Sequence, residues 1–209
     1  LSPNIPYLTY NDIGRKAQEF LSQYYPSLEL PIPIEHIIDV DLGINIFPFP
    51  RLYKDYGQNG FLSRDRATIY VDEIQSEEFP EKYRFTLAHE LGHYLLHENF
   101  YDDTSFESVA EFIQWKLSVP QVEIGWFETH ADWFAEQILV PLNCLEASCL
   151  EVIDNYQHIF SKFKVIPDDF WSYISKEVAR PFEVNPPVIE LRIKRSGLAD
   201  RIPINKKTK

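Results

Sequence analysis

Apolar residues recur at helical spacing in Ile13, Ala17, Phe20, Leu21 and Tyr24, following an Asn11-Asp12 capping signal. The chain therefore opens with an amphipathic helix, ended by Pro26 and Pro31. Pro33 to Val40 reads as a second, short helix with proline near its first turn, and Gly43 closes it into the strand-like Ile44-Asn45-Ile46-Phe47. Gly60 to Ser63 and Ala67 to Val71, separated by Arg64-Asp65-Arg66, read as a hairpin. The β part is thus expected to be small and antiparallel.

A long helix is predicted from Pro80 to His97, with Phe85, Leu87, Ala88, Leu91, Leu95 and Leu96 for burial. Residues 98 to 125 are less regular, with a helical piece from Val109 to Leu117 stopped by Pro120. A second strong helix runs from Phe127 to Val140, with Phe127, Ala131, Phe134, Ala135 and Ile138 on one stripe. Helices follow at 143–162, 168–179 and 186–196, then a basic tail from Asn205 to Lys209. The pattern is α+β, mostly helical, with a small antiparallel sheet preceding the longest helix. One domain is expected over 1–209: helices and hairpin in 1–75, the two strongest helices in 76–141, a helical part in 142–200 and the tail in 201–209.

With 209 residues, 44% hydrophobic and 15% aromatic, the chain can bury a real core and is not a disordered type. Its 32 acidic against 20 basic side chains leave a net charge of −12, which repels phosphate backbones and anionic lipid and suits a basic protein partner. Neither direct nucleic-acid nor membrane binding is expected. No apolar run approaches the roughly 18 to 20 residues that span a bilayer, and no secretory signal is visible at the start. Cys144 and Cys149 are too few for a disulfide scaffold and read as reduced core thiols of a cytoplasmic protein.

His89-Glu90-Leu91-Gly92-His93 carries the chemistry. Four residues advance an α-helix by about 400° and 6 Å, so both imidazoles stand on one face and can bind one ion. Glu90 lies beside them as the general base for a water whose pKa the ion lowers. Gly92 lets other backbone pack close. Ile69-Tyr70-Val71 would be an edge strand near the metal, suited to an extended peptide. A catalytic zinc site takes a third protein ligand, and Glu128-Thr129-His130-Ala131-Asp132 supplies two carboxylates at i and i+4. Glu128 is expected to bind the ion and Asp132 to hold a ligand imidazole by its other N–H.

His97 continues the His89/His93 row but lies about 6 Å farther along, which suits an outer or surface position. His130 competes with Glu128 as ligand, and His130, Tyr94 and Tyr70 are candidates for contact with a substrate or its oxyanion. Tyr94 also suits a packed aromatic, and Glu136 a structural ion pair. His36 and His158 have no partner pattern. Two histidines and a carboxylate suit Zn²⁺ and also Mn²⁺.

Arg84-Phe85-Thr86-Leu87-Ala88-His89-Glu90-Leu91-Gly92-His93, followed by Glu128-Thr129-His130-Ala131-Asp132-Trp133-Phe134-Ala135 and Ile138-Leu139-Val140-Pro141, resembles the ImmA/IrrE family of bacterial metallo-endopeptidases. Arg180-Pro181-Phe182-Glu183-Val184-Asn185 is more weakly similar to that family's terminal segment. The resemblance implies a zincin-like domain with His89, His93 and Glu128 as ligands and Glu90 as base. It also implies cleavage of helix-turn-helix repressors in phage, mobile-element and stress control. Residues 98–126 look longer and more aromatic than in a minimal member, and no fused helix-turn-helix precedes the chain, so a DNA-binding partner would be a separate protein. The 128/132 carboxylates also look like those of thermolysin-like gluzincins. The expectation is a zinc-dependent endopeptidase; the rival is a metal-stabilised module that sequesters a repressor uncut, for which Glu90 would have no use.

Overall fold

A computed structural model describes residue 5 and residues 7–102, 104–156 and 169–202. The first helix, α1 (Tyr10–Tyr24), is capped by Thr9 rather than by the Asn11-Asp12 pair. The Asp12 N–H donates to Thr9 Oγ1 and the Asp12 carboxylate accepts from the Thr9 N–H, a reciprocal box that satisfies two end donors. Ile13, Ala17, Phe20 and Leu21 are its buried stripe, as their spacing predicts. The second helix is short: α2 (Ile34–His36) runs into a π-helical turn, Ile37–Asp41.

Three strands, β1 (Asn45–Phe49), β2 (Gly60–Leu62) and β3 (Thr68–Asp72), form a sheet in the order β1-β3-β2. The expected hairpin is there, β2 pairing antiparallel with β3 through Phe61↔Tyr70. The sheet is nevertheless mixed, because β1 returns to pair parallel with β3 in the register Asn45↔Thr68. Ile69-Tyr70-Val71, expected at an edge, is therefore the central strand. Ile69 and Val71 are fully buried. The edges are β1 and β2. The short helices before β2 and after β3, α3 (Leu52–Tyr56) and α4 (Glu73–Glu78), were not anticipated. Asp72 joins them, accepting from the Tyr53 and Gln75 N–H groups.

The long helix α5 (Pro80–Leu96) has proline in its first turn, as expected. After α6 (Glu98–Asp102) and α7 (Val109–Ser118), α8 runs from Gln121 to Leu139, starting six positions before the expected boundary. Pro120 ends one helix and opens the next, because a missing N–H costs nothing at a helix start. The axis of the fold is the α5/α8 crossing, with α1 packed on α8 as well. Gly92 sits at that crossing: a Cβ there would lie 3.0 Å from Ala131 Cα and 3.2 Å from Phe134 Cβ. Bare backbone is what lets the two helices approach.

The C-terminal part is helical: α9 (Leu142–Asn155), α10 (Phe170–Ala179), a 3₁₀ turn (Arg180–Phe182), α11 (Pro186–Arg195) and α12 (Leu198–Arg201). It is tied to α8 by a buried polar network. Arg192 Nε donates to the Val140 carbonyl at 3.0 Å and its Nη1 to the Tyr10 hydroxyl at 2.8 Å. Glu136 accepts from Tyr10 and pairs with Arg195, the structural role its sequence suggested. Cys149 is buried and Cys144 half-buried, both free. The end of the 143–162 helix, His158 and the basic tail lie outside the described residues. No described helix is long and apolar enough to cross a membrane.

Candidate metal centre

The α5/α8 crossing brings together three side chains. One turn apart on α5, His89 and His93 direct their Nε2 atoms toward each other at 3.0 Å. Glu128, on the facing side of α8, places Oε2 3.2 Å from His89 Nε2 and 3.9 Å from His93 Nε2. One donor atom from each of the three lies within 4.8 Å of the others. His89 Nδ1 is 2.8 Å from Asp132 Oδ1, so the Asp132 carboxylate accepts the Nδ1–H and turns Nε2 into the centre. The two α8 carboxylates thus meet His89 at its two ring nitrogens, Glu128 at Nε2 and Asp132 at Nδ1.

The three donors differ in charge. Burial opposes charge on His89, but its bonds to Asp132 and Glu128 outweigh that and hold its pKa up at about 10. Burial also pushes Glu128 upward, yet His89, His93 and Lys116 overcome this and hold its carboxyl well below the usual range. His93 goes the other way, kept neutral by burial and by the charge on His89. Two imidazoles and an ionised carboxylate are a donor set a divalent cation can use, provided that His89 gives up its extra proton.

Behind His93 stand two further histidines. His93 Nδ1 is 3.0 Å from His97 Nδ1, and His97 Nε2 is 3.5 Å from His130 Nδ1. The Phe127 ring stacks on both His93 and His97, with centroids 4.0 and 4.4 Å away. Burial and the neighbouring His130 push His97 down to about 3, so it is a neutral prop for the His93 ring. His97 thus takes the outer position its spacing suggested. His130 is not among the converging donors. Two positions beyond Glu128 it is turned by about 200° on the helix, and its Nε2 faces the Leu8 N–H at 3.4 Å.

Glu90 is buried and beside the cluster, in a cavity of about 190 Å³ that His89, His93, Glu128, Gly60, Phe112 and Lys116 help to line. Burial pushes its pKa up to about 7, opposed by His89 and by a hydrogen bond from the Leu62 N–H. A carboxyl poised near neutrality is suited to taking and returning a proton. Tyr94 and Tyr70 do not line this cavity. Tyr94 packs under the Arg66 guanidinium, and Tyr70 stacks on Phe61 with ring centroids 4.6 Å apart. His130 is likewise absent from the residues that line the cavity.

Two participants escaped the sequence reading. Gly60, at the edge of the sheet, abuts Glu90: a Cβ there would be 3.3 Å from Glu90 Oε1 and 2.6 Å from Thr86 Cγ2. Lys116, in the last turn of α7, sets its ammonium 2.7 Å from Glu128 Oε1. The glycine reads only as the start of a hairpin strand, and the lysine carries no motif.

A two-histidine, one-carboxylate centre on crossed helices, with a buried acid beside it, is the arrangement of a metal-assisted hydrolase. The model of the IrrE N-terminal-like domain, Peptidase_M78, matches residues 41–194, and the chain belongs to that peptidase family. No curated protein matches the chain.

Proposed function

We propose that the protein is a zinc-dependent endopeptidase of the His-Glu-x-x-His type, with His89, His93 and Glu128 as ligands and Glu90 as general base. The observation that carries this is the convergence of three metal-type donors beside a buried carboxyl whose pKa is near 7. A divalent cation held there supplies Lewis acidity, which lowers the pKa of water and polarises a carbonyl. Glu90 then takes the proton of the attacking water and passes it to the leaving amine. Mn²⁺ satisfies the same donor set.

A substrate in extended form fits the outer edge of β2, whose Leu62 N–H already donates to Glu90. The bonds Asp72 N–H to Asn59 O and Ser63 N–H to Thr68 O, with the alternation of an antiparallel pair, turn Phe61 toward Tyr70 and leave Gly60 and Leu62 facing outward beside Glu90. The substrate proposed is a basic helix-turn-helix repressor or antitoxin-like regulator in the bacterial cytoplasm. The net charge of −12 and the family resemblance support it.

The test compares new protein N-termini in bacterial cells expressing the intact chain or Glu90→Gln, with metal content measured on both purified proteins. A terminus inside such a regulator that appears only with the intact chain is the expected result. Equal biological effect from a fully metallated Glu90→Gln protein would overturn the peptidase reading in favour of sequestration without cleavage.

A further inference from the structure

Glu128 has two oxygens, and the structure uses them differently. Oε2 points at both imidazoles, whereas Oε1 is held by Lys116 at 2.7 Å. The contact is a close ion pair, since no aligned hydrogen bond reaches that buried oxygen. Lys116 is not a freely solvated surface lysine: its side chain is 20% exposed and its ammonium lies 5.3 Å from the centre of the Phe112 ring, one turn earlier on α7. That helix is docked by aromatic contacts, Phe112 on Phe61 at 5.9 Å and Trp115 on Phe100 at 4.1 Å. The ammonium is therefore delivered to Glu128 by packing.

A carboxylate can bind a metal ion through one oxygen or chelate it through both, and the second mode occupies a coordination position. A catalytic centre with three protein ligands depends on a position left for water. We infer that Lys116 is a positioning residue: by holding Glu128 Oε1, it restricts Glu128 to coordination through Oε2 and so preserves the open position. Asp132 orients His89 from one side of the centre and Lys116 orients Glu128 from the other. This rests on the metal-centre reading above and goes beyond it by giving a defined task to a residue outside the motif.

The experiment replaces zinc with Co²⁺ in the full chain and records visible absorption, which is strong for four-coordinate cobalt and weakens as coordination number rises. Wild type is compared with Lys116→Met, of similar length without the charge, and with Lys116→Arg, which keeps a cationic donor; circular dichroism checks the fold of each. Weakened bands in K116M at one equivalent of cobalt, strong bands in K116R, and a kcat/KM in K116M about 10- to 100-fold below wild type at saturating metal are expected. Wild-type bands in K116M, or weakened bands in K116R, would overturn the inference, and Lys116→Gln, neutral and polar, is read in the same way if K116M does not fold or load. Cleavage is followed separately on casein. A Lys116-dependent spectrum in a wild-type protein that cleaves nothing would leave the positioning role intact and count against the peptidase reading.

Discussion

Replacing Glu90 by Gln preserves the side chain's shape and removes its charge, so activity and stability should move in opposite directions. As general base, Glu90 is worth about 10²- to 10⁴-fold in rate. Its stability effect follows from a carboxyl that ordinarily ionises near 4.5 and here, 5% exposed, ionises at about 7. Below pH 4.5 the group is neutral in both folded and unfolded chains and carries no penalty. As the pH rises toward 7 the unfolded chain ionises first, so folding loses stability; above 7 the loss is constant. At about 1.4 kcal/mol for each pKa unit, that loss is about 3 kcal/mol, and the attraction to His89 is already included. Metal-free Glu90→Gln should therefore exceed metal-free wild type by about 3 kcal/mol more at pH 8 than at pH 4, or by about 6–12 °C in Tm for a chain of this size. Urea unfolding of the chelator-treated proteins across that range measures it. A stability difference that does not change with pH, or near wild-type cleavage by metal-loaded Glu90→Gln, would refute the reasoning.

Asp132→Ala removes the acceptor of the His89 Nδ1–H, and metal affinity in a chelator competition should fall about 10- to 100-fold; Asp132 is half exposed, so its unfolding midpoint should hold. Gly92→Ala forces a Cβ to within 3.0 Å of Ala131 Cα at the helix crossing. It should destabilise the fold by about 1–3 kcal/mol and also weaken metal binding, and an unchanged Tm would contradict the close approach. Glu136→Ala leaves Arg195 and the buried Arg192–Tyr10 pair short of their anion, at a cost of about 3 kcal/mol in denaturant unfolding. It should leave metal affinity unchanged, since Glu136 lies away from the converging donors.

What could be read from the chain is what depends on short spacings. His89 and His93 share a face because of helix geometry alone, and Glu128 and Asp132 do so for the same reason. His130, the competitor to Glu128 in the same stretch, lies on another face of the helix, with its Nε2 toward the Leu8 N–H. What could not be read depends on contacts between distant segments. The parallel β1–β3 pairing bridges two strands with α3 and β2 between them, and it converts Ile69-Tyr70-Val71 from an expected edge into the sheet centre. Lys116 reaches Glu128 only because Phe61, Phe100, Phe112 and Trp115 dock α7, and no periodicity announces that cluster.

The glycine-mediated crossing also bears on how the protein holds together. His89 and His93 ride on one helix and Glu128 on the other, 35 positions after His93. An ion gripping all three is a reversible cross-link between these helices, and it binds the unfolded chain poorly because only the docked pair assembles its donors. By mass action, free metal at 100 times its Kd would add about 2.7 kcal/mol to folding. Starvation for metal would then do more than silence a catalyst: it would return part of the population to the unfolded state, where cellular proteases remove it, and the abundance of the protein would itself report metal supply.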